Sequence, residues 1–311
     1  MLYITETQVR EALPMSDCLG LMRTVFTRLA AGEAINQPRR RLILPTRSTL
    51  HYMAGSDGRY FGAKIYATNP KHGAHFLFLL YRAEDAAPLA IIEANALGQI
   101  RTGAASGLAT ELLARPNSRT LALIGSGYQA RTQLEAMLVA VPSIERVRVW
   151  SRSAEKRQAF ARESSQQFAR PVDAVDTAEE AVRGADILVT ATNSAEPVVE
   201  AAWVEEGTHI NAMGSNQARR RELPSDLIGR AVLIAVDSIE QARMESGDLL
   251  LAFQEEDWNR VVELRDVVAG RIARRAPREI TLFKSNGLAV EDVIAAGLVY
   301  ERSIARTRHV G

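Results

Sequence analysis

The hydrophobic pattern divides the chain into two parts. Before residue 117, apolar and polar positions alternate in runs separated by Gly, Asp, Asn and Pro, which is typical of antiparallel strands. A helix is predicted at Leu19–Ala31 from its apolar spacing, with Gly32 as its C-terminal cap. Another is predicted from Asn95 to Ala114, because Pro116 disfavours helix just before it. The predicted strands are Arg40–Leu44, Thr49–Ala54, Tyr60–Ala67, His75–Tyr81 and Leu89–Glu93.

From Arg119 onward, short apolar runs without alternation predict parallel strands covered on both faces. Helical segments separate these runs, which indicates a doubly wound parallel sheet. The chain therefore reads as an α/β protein with a Rossmann domain at residues 117–287. A smaller α+β domain is expected from residues 1–116 together with residues 288–311. The second of these segments contains the apolar helix Leu288–Arg306. The predicted parallel strands are Thr120–Ile124, Val147–Trp150, Asp186–Thr190, His209–Met213 and Val232–Val236.

Composition narrows the range of partners. The 311 residues carry a formal net charge of +1, so neither nucleic acid nor an anionic membrane is an expected partner. Cys18 is the only cysteine, which excludes an intramolecular disulfide and a multi-cysteine metal site, and no metal is expected. The N-terminal residues do not resemble a signal peptide, and no apolar run approaches the roughly 20 residues of a membrane span. These features predict a cytoplasmic protein.

A dinucleotide-binding fingerprint follows the first parallel strand. The run Gly125-Ser126-Gly127-Tyr128-Gln129-Ala130 matches G-x-G-x-x-A and opens a predicted helix. Gly125 permits the tight turn, Gly127 lets the backbone approach a pyrophosphate, and Ala130 allows close helix–strand contact. Unpaired N–H groups and the dipole of the helix N-terminus favour the bound anion.

The end of the second parallel strand indicates which dinucleotide binds. An NAD-specific site carries Asp or Glu there to bind the ribose 2′-hydroxyl. This chain has Ser151-Arg152-Ser153 instead, whose hydroxyls and guanidinium suit a 2′-phosphate. The sequence therefore predicts a preference for NADP(H), with NAD(H) as the alternative. Thr190-Ala191-Thr192 follows a later strand and is predicted to line the same site, because ligands bind beyond strand C-termini.

Three cations lie in segments that otherwise read as buried. Arg40 shares a strand face with Leu42 and Leu44, Lys64 is central in an uncharged strand, and Arg101 lies in a helix of small residues. Buried cations need a partner, and no acidic residue is near them in these segments. We therefore expect them to bind an external anion, such as a carboxylate.

The whole chain resembles the ornithine cyclodeaminase/μ-crystallin family. This resemblance implies a homodimer built through the non-Rossmann domain, and a small amino or imino acid substrate facing the nicotinamide. It assigns Arg40, Lys64 and Arg101 to the substrate carboxylate and places Met53 beside the substrate. It also assigns Thr102, Met213, Gly214 and Ser285 to the cofactor, and leaves Lys284 either beside the nicotinamide or as an exposed lysine. The matching segments are Pro38–Arg40, Gly62–Lys64, Ile100–Ser106, Ile124–Ala130, His209–Gly214, Phe283–Gly287 and Glu291-Asp292.

Two positions depart from the cyclodeaminase pattern that the resemblance implies. Asn216 stands where those enzymes carry an acid/base Asp, and His51 stands where they carry a Glu two residues before Met53. An amide cannot take up a proton at neutral pH, so cyclisation of ornithine is disfavoured.

The sequence therefore predicts an NADP(H)-dependent oxidoreductase of a small 2-amino or 2-imino carboxylate, with a cyclic ketimine reductase or an amino-acid dehydrogenase as its best description. Arg40 and Arg101 are expected to hold the carboxylate, while Lys64 either completes this site or supplies a proton. The alternatives are an NAD-dependent ornithine cyclodeaminase and a non-catalytic ligand-binding protein of the μ-crystallin kind.

Overall fold

A computed structural model describes residues 1–309, with side chains through Arg306. The chain forms two compact units, one made of Met1–Thr102 together with the segment from Gly287 onward, and one made of Gly103–Asn286. The sequence-based domain boundary at residues 116–117 lies after the helix that begins at Asn95, whereas the compact units divide within that helix.

The first part of the chain forms a mixed sheet in the order β1-β6-β5-β4-β3-β2, in which β1 is parallel to β6 and the other neighbours are antiparallel. Both predicted helices and all five predicted strands are present, and most are longer than predicted. The strand predicted to end at Leu44 ends at Ile43, and the helix predicted to end at Ala114 ends at Leu113. The left-handed conformation of Gly32, with φ of 75°, confirms it as a cap. The elements are β1 (Leu2–Ile4), α1 (Glu6–Ala12), α2 (Met15–Ala31), β2 (Ile35–Ile43), β3 (Thr49–Ser56), β4 (Tyr60–Asn69), β5 (Gly73–Arg82), β6 (Pro88–Glu93) and α3 (Asn95–Leu113).

The rest of the chain contains a wholly parallel sheet, and the last helix returns to the first unit. The elements are β7 (Thr120–Ile124), α4 (Tyr128–Ala140), β8 (Arg146–Trp150), α5 (Ala154–Phe168), β9 (Val172–Ala174), α6 (Ala178–Val182), β10 (Ile187–Thr190), β11 (His209–Ala212), α7 (Ser225–Arg230), β12 (Ala231–Val236), α8 (Ile239–Glu245), α9 (Gly247–Leu250), β13 (Val261–Glu263), α10 (Leu264–Val268), β14 (Ile280–Lys284) and α11 (Ala289–His309).

The parallel sheet has the order β13-β12-β14-β11-β10-β7-β8-β9. Chain order reverses between β7 and β10, which is the topological switch point at which doubly wound sheets bind their ligands. The predicted Rossmann fold is therefore confirmed. Residues Leu121–Ile124 of β7 are fully buried, as expected of a central strand covered on both faces. The short strands β9 and β13, and also β14, were not predicted, because brief runs show little periodicity.

Helix α11 packs on β2, β3, β4 and β5, as well as on α2, and so covers one face of the mixed sheet. Arg39 lies on this buried face with 4% exposure, whereas Arg40 is exposed. The prediction that Arg40 lies on the buried face is wrong. It relied on Leu42 as a marker of the interior, but Leu42 is 55% exposed, so the apolar side of β2 is the side away from α11.

Candidate functional site

Five ionisable side chains meet inside the first unit, and we call them the cation cluster. Asp292 Oδ1 accepts from Lys64 Nζ at 2.9 Å and from Arg101 Nε at 3.1 Å. Glu291 Oε2 accepts from Arg101 Nη1 at 2.7 Å. Arg39 Nη2 donates to the Gly287 carbonyl at 3.4 Å, and all five side chains are buried. Strands β2 and β4, helix α3 and the first turn of α11 thus each supply part of one cluster.

The partners of Lys64 and Arg101 are carboxylates of the chain itself. The expectation that these cations lack acidic partners is therefore wrong. Their partners lie 190 or more residues away along the chain, so the local sequence around each cation does not contain them. Glu291 and Asp292 also lie in the first turn of α11, where the helix dipole favours negative charge.

The net charge of the cation cluster still suits the binding of an anion. Three cations against two carboxylates give the five groups a net charge of +1. Burial lowers the pKa of Lys64 from 10.5 to about 8, although Asp292 opposes the shift. Burial also lowers the pKa of Arg101, but Asp292 and Glu291 raise it more, so its net shift is upward. Lys64 can therefore lose or gain a proton near neutral pH, while Arg101 stays charged.

Two glycines provide the space in which two of the cationic side chains lie. A Cβ atom on Gly98 of α3 would lie 2.4 Å from Lys64 Nζ. A Cβ atom on Gly287 would lie 2.5 Å from Arg101 Nη1, and the φ of +80° at Gly287 is strained for other residues. The cluster therefore depends on small residues in α3 and before α11 as well as on its charges.

Aromatic rings extend from the cluster along the same face of the mixed sheet. His51 stacks on Tyr66 with ring centroids 4.3 Å apart, and Tyr66 stacks on Phe76 at 4.7 Å. Lys64 Nζ lies 5.6 Å from the Phe76 ring centroid. Met53 is buried, with its sulfur 3.7 Å from Arg39 Nη2. His51 and Met53 thus share a face with Lys64.

The charges around His51 determine its protonation. Burial, Arg41 and Arg39 together lower its pKa to about 4, so its ring is neutral at pH 7. Its Nε2 atom lies 3.0 Å from Thr68 Oγ1. Burial is the largest cause of this shift, and the smaller contributions of Arg41 and Arg39 are positive charges that disfavour an ammonium group nearby.

In the second unit, the predicted cofactor residues lie at the carboxyl ends of five neighbouring strands, β8, β7, β10, β11 and β14. Gly125 has a φ of +119°, and a Cβ atom there would lie 2.4 Å from the Ala191 carbonyl. Gly127 is exposed, with open space where a side chain would project, and Ala130 is fully buried against the sheet. These residues form a backbone cradle at the N-terminus of α4, which fits a dinucleotide pyrophosphate.

The fingerprint and the second strand end are joined directly, because Ser126 Oγ lies 2.8 Å from Ser151 Oγ. Ser153 caps α5 by accepting from the Lys156 amide at 3.3 Å. Arg152 is exposed and donates to Asn193 Oδ1 at 3.3 Å. Hydroxyl groups and a guanidinium thus lie together at the end of β8, where the sequence predicts that the cofactor ribose binds.

Several of the remaining cofactor candidates donate hydrogen bonds to buried carboxylates. Thr190 is fully buried, and its Oγ1 donates to Glu222 Oε2 at 2.9 Å. Ser285 Oγ donates to Asp237 Oδ2 at 3.1 Å. Lys284 is fully buried beside Asp248, so it is not an exposed lysine. Tyr128 is exposed. Six other candidates are half-buried or at the edge of burial: Thr102, Gln129, Ala191, Thr192, Met213 and Gly214.

No helix within residues 1–309 is long and apolar enough to cross a membrane. Over the same residues, no three His, Cys, Asp or Glu side chains group closely enough to hold a metal ion.

Comparison with known proteins decides the family. Residues 2–307 match the profile of the ornithine cyclodeaminase/mu-crystallin family. The chain belongs to this family. It is 35% identical over 319 residues to a Delta(1)-pyrroline-2-carboxylate reductase of Bacillus cereus (strain ZK / E33L), covering 98% of each chain.

Two solved structures of family proteins superpose on nearly the whole chain. The Delta(1)-pyrroline-2-carboxylate reductase of Thermococcus litoralis, in complex with NADH and L-proline, gives a TM-score of 0.93 at 34% identity, with 99% of this chain and 98% of that chain covered. An archaeal alanine dehydrogenase dimer with bound NAD gives a TM-score of 0.92 at 33% identity, with 99% and 97% covered. The protein is thus an NAD(P)-dependent oxidoreductase or deaminase of this family, and a nicotinamide dinucleotide is its cofactor.

Three residues of the cation cluster were not predicted as site residues from the sequence. The alternation that assigned Arg40 to the buried face of its strand implied the opposite face for Arg39. Glu291 and Asp292 were quoted only as part of a family motif. Their signal was nonetheless present, because two adjacent acids in the apolar run that begins α11 indicate buried counter-charges.

We expect the low pKa of Lys64 to make stability depend on pH. The folded chain loses this proton at about pH 8, while the unfolded chain keeps it until about 10.5. The unfolded state therefore binds more protons between these values, and the contribution of Lys64 to the free energy of unfolding rises with pH across this window. Urea unfolding of wild type and Lys64→Met at several pH values measures this contribution by difference.

Lys71→Met is the matched control, since it removes an exposed lysine just after β4. A difference between wild type and Lys64→Met that stays constant from pH 8 to 10.5 would contradict the assigned burial of the Lys64 charge.

Proposed function

We propose that this protein is an NADP(H)-dependent reductase of small cyclic 2-imino carboxylates, of the pyrroline-2-carboxylate type. The observation that carries this proposal is the cation cluster, whose five groups have a net charge of +1 and so suit one substrate carboxylate. The similarity of the whole chain to pyrroline-2-carboxylate reductases supports the same substrate class. In this proposal Arg39 takes the role first assigned to Arg40, because it is the buried member of the pair.

Reduction of an imine adds a hydride to carbon and a proton to nitrogen. The nicotinamide, when bound, supplies the hydride. Arg39 and Arg101 bind the carboxylate and orient the substrate, since guanidinium groups match carboxylates in a bidentate geometry. Lys64 supplies the proton, because a pKa of about 8 suits proton transfer near neutral pH. Asp292 holds the Lys64 ammonium in place through its 2.9 Å hydrogen bond.

Two features make ornithine cyclisation the weaker candidate. Cyclisation needs a base to deprotonate the distal amine, whose unperturbed pKa is about 10.4. Asn216 cannot be that base. His51 is neutral, but Arg41 and Arg39 make its surroundings positive and so disfavour the incoming ammonium group. Reduction of a preformed cyclic imine requires no base to deprotonate a distal amine, so it needs neither Asn216 nor His51 for that purpose.

The preference for NADP(H) rests on the end of β8. Ser151, Arg152 and Ser153 present hydroxyls and a positive charge where an NAD-specific site carries an acid. The nearby Asp176 is paired with Arg157 at 2.8 Å, which reduces its repulsion of a phosphate. Family structures contain NADH or NAD, so this preference is a proposal specific to this chain.

A homodimer is also proposed. The face of the mixed sheet opposite α11 carries exposed apolar side chains, including Leu42 and Tyr52, and a cavity of about 480 Å³. Such patches on soluble proteins commonly mark protein interfaces. An archaeal alanine dehydrogenase of the same fold is a dimer, which supports this assembly here. The cytoplasmic location expected from the sequence stays a prediction.

Adjacent arginines provide a matched test of the carboxylate site. Arg39→Ala should raise the barrier measured by kcat/KM by about 2–5 kcal/mol, the range for truncating one partner of a buried charge pair. Arg40→Ala should change it little, because Arg40 is on the opposite face of β2. Steady-state kinetics with the best ketimine substrate measures both. Equal losses in the two variants would show that the buried position of Arg39 has no part in binding.

Cofactor preference is tested by titrating NADPH and NADH and following nucleotide fluorescence. Wild type should bind NADPH more tightly, and Arg152→Asp should reverse the order because it replaces attraction of the 2′-phosphate by repulsion. Lys156→Asp, one turn further along α5 and also exposed, is the control for a general change of charge. Tighter binding of NADH by the wild type would refute the preference.

The function itself is tested by comparing two reactions of the wild type. NADPH oxidation with pyrroline-2-carboxylate should exceed ammonia release from ornithine in kcat/KM by about 10²–10⁴-fold, which is the usual contribution of positioned acid–base catalysis. Asn216→Asp should increase ornithine turnover. Efficient ammonia release with negligible ketimine reduction would instead identify a cyclodeaminase. Pyruvate plus ammonia tests the amino-acid dehydrogenase alternative.

A further inference from the structure

Two exposed arginines of the second unit donate to one residue of the loop after β10. Arg152, just after β8, donates from Nη2 to Asn193 Oδ1 at 3.3 Å. Arg220, in the loop after β11, donates from Nη1 to the Asn193 carbonyl at 3.1 Å. All three residues lie within Gly103–Asn286, so the arrangement belongs to the second unit alone. The patterns that predict the cofactor site from the sequence do not include Arg220.

The loop that carries Asn193 is held against the glycine fingerprint. The amide and the hydroxyl of Thr192 both donate to Glu222 Oε1 at 2.7 Å. A Cβ atom on Gly125 would lie 2.4 Å from the Ala191 carbonyl, so the start of the loop touches the backbone cradle. Asn193 therefore follows directly on two residues whose positions are fixed beside the predicted dinucleotide site.

The backbone of Arg220 is anchored as well, although its side chain is exposed. Its amide donates to the Gln217 carbonyl at 3.0 Å, and the next amide, that of Arg221, donates to the Ala195 carbonyl at 3.3 Å. A Cβ atom on Gly247 would lie 2.0 Å from the Arg220 carbonyl, so this loop packs closely on the start of α9. The guanidinium of Arg220 is thus presented from a fixed backbone.

The charges of the two arginines are not neutralised by the chain itself. Among the side chains that the structure describes, no carboxylate forms an ion pair with Arg152 or Arg220. Two like charges placed against one residue repel each other, and a bound anion removes this cost. A phosphate monoester carries a charge of about −1.5 to −2 at pH 7 and has three acceptor oxygens. It therefore suits two guanidinium groups better than one.

We infer that Arg220 is a second specificity-determining residue for the cofactor and binds the 2′-phosphate of NADP(H) together with Arg152. The inference rests on the proposed NADP(H) preference, because the 2′-phosphate is the group by which the two dinucleotides differ. Arg152 follows the strand end where a Rossmann fold binds the ribose, and Asn193 brings Arg220 next to it.

Stacking on the adenine ring is the competing role for Arg220, since a guanidinium plane also stacks on aromatic faces. The two roles differ in their effect on NADH. A residue that stacks on adenine contributes equally to the binding of NADH and NADPH, whereas a residue that binds the 2′-phosphate contributes to NADPH alone.

Fluorescence titration of NADPH and NADH measures this difference. Arg220→Ala should raise the Kd for NADPH by about 10-fold, which is the usual effect of losing a hydrogen bond to a charged group, and should leave the Kd for NADH little changed. Arg220→Lys should recover part of the loss, because it keeps the charge but not the planar donor group. Equal weakening of both dinucleotides by Arg220→Ala would overturn the inference in favour of stacking.

Calorimetry with two fragments gives a readout that needs neither substrate nor nicotinamide. Adenosine 2′,5′-bisphosphate and adenosine 5′-monophosphate differ only in the 2′-phosphate. Arg220→Ala should weaken the first by about 10-fold and leave the second unchanged. Arg219→Ala is the matched control, since it removes the same charge from the adjacent exposed position. Equal losses from Arg219→Ala and Arg220→Ala would show a general effect of charge and refute a specific contact.

A double-mutant cycle tests whether the two arginines bind one phosphate. The ratio of the Kd values for NADH and NADPH is measured for wild type, Arg152→Ala, Arg220→Ala and the double variant. Groups that share one partner are coupled, so the loss in the double variant should differ from the product of the single losses by about 2-fold or more. Independent losses would refute joint binding. A wild type that prefers NADH refutes the proposed preference, whereas the effect of Arg220→Ala on the ratio decides the role of Arg220 in either case.

Discussion

Burial of three cations beside two carboxylates is the constraint on which the first unit depends. Removing charges from water costs several kcal/mol for each ion unless partners compensate. Asp292 compensates Lys64 and Arg101 together, so the first turn of α11 must lie where β4 and α3 meet. Electrostatics thus fixes the return of the last helix to the first unit, in addition to its apolar packing on the sheet. Gly98 and Gly287 follow from the same constraint, because larger residues would occupy the space of the cations.

One group of buried charges in the second unit has the opposite balance, with more carboxylates than cations. Around the buried cation Lys284 lie two buried carboxylates, Glu222 and Asp248. Most of their oxygens accept from backbone amides and threonine hydroxyls, so they organise loops instead of neutralising cations. Loops that are held before a ligand arrives need no reorganisation during reaction, which is how preorganised polar groups lower a barrier. These hydrogen bonds thus join loops at the carboxyl edge of the parallel sheet, the edge that also carries the glycine fingerprint.

The family includes reductases, dehydrogenases and cyclodeaminases, and the cluster suggests how one frame serves these reactions. A 2-amino or 2-imino carboxylate always presents its carboxylate, and buried cations can bind that group whatever the rest of the substrate is. We propose that discrimination between substrates depends on residues that differ from the cyclodeaminase pattern, such as His51 and Asn216. In the proposed function, the positive charges of Arg39 and Arg41 near His51 disfavour a substrate that carries a distal ammonium.

The Rossmann fold could be predicted from local patterns of the sequence, and the residues predicted to bind its cofactor stay a prediction. Parallel strands, the glycine fingerprint and Ser151–Ser153 are local patterns, and the carboxyl ends of neighbouring strands necessarily lie at one edge. Only the tertiary structure decided between Arg39 and Arg40, because the buried face of β2 depends on α11, which packs there from the far end of the chain. The pairing of Lys64 with Asp292 was decided in the same way, since charges 228 residues apart become partners only when folding brings them together.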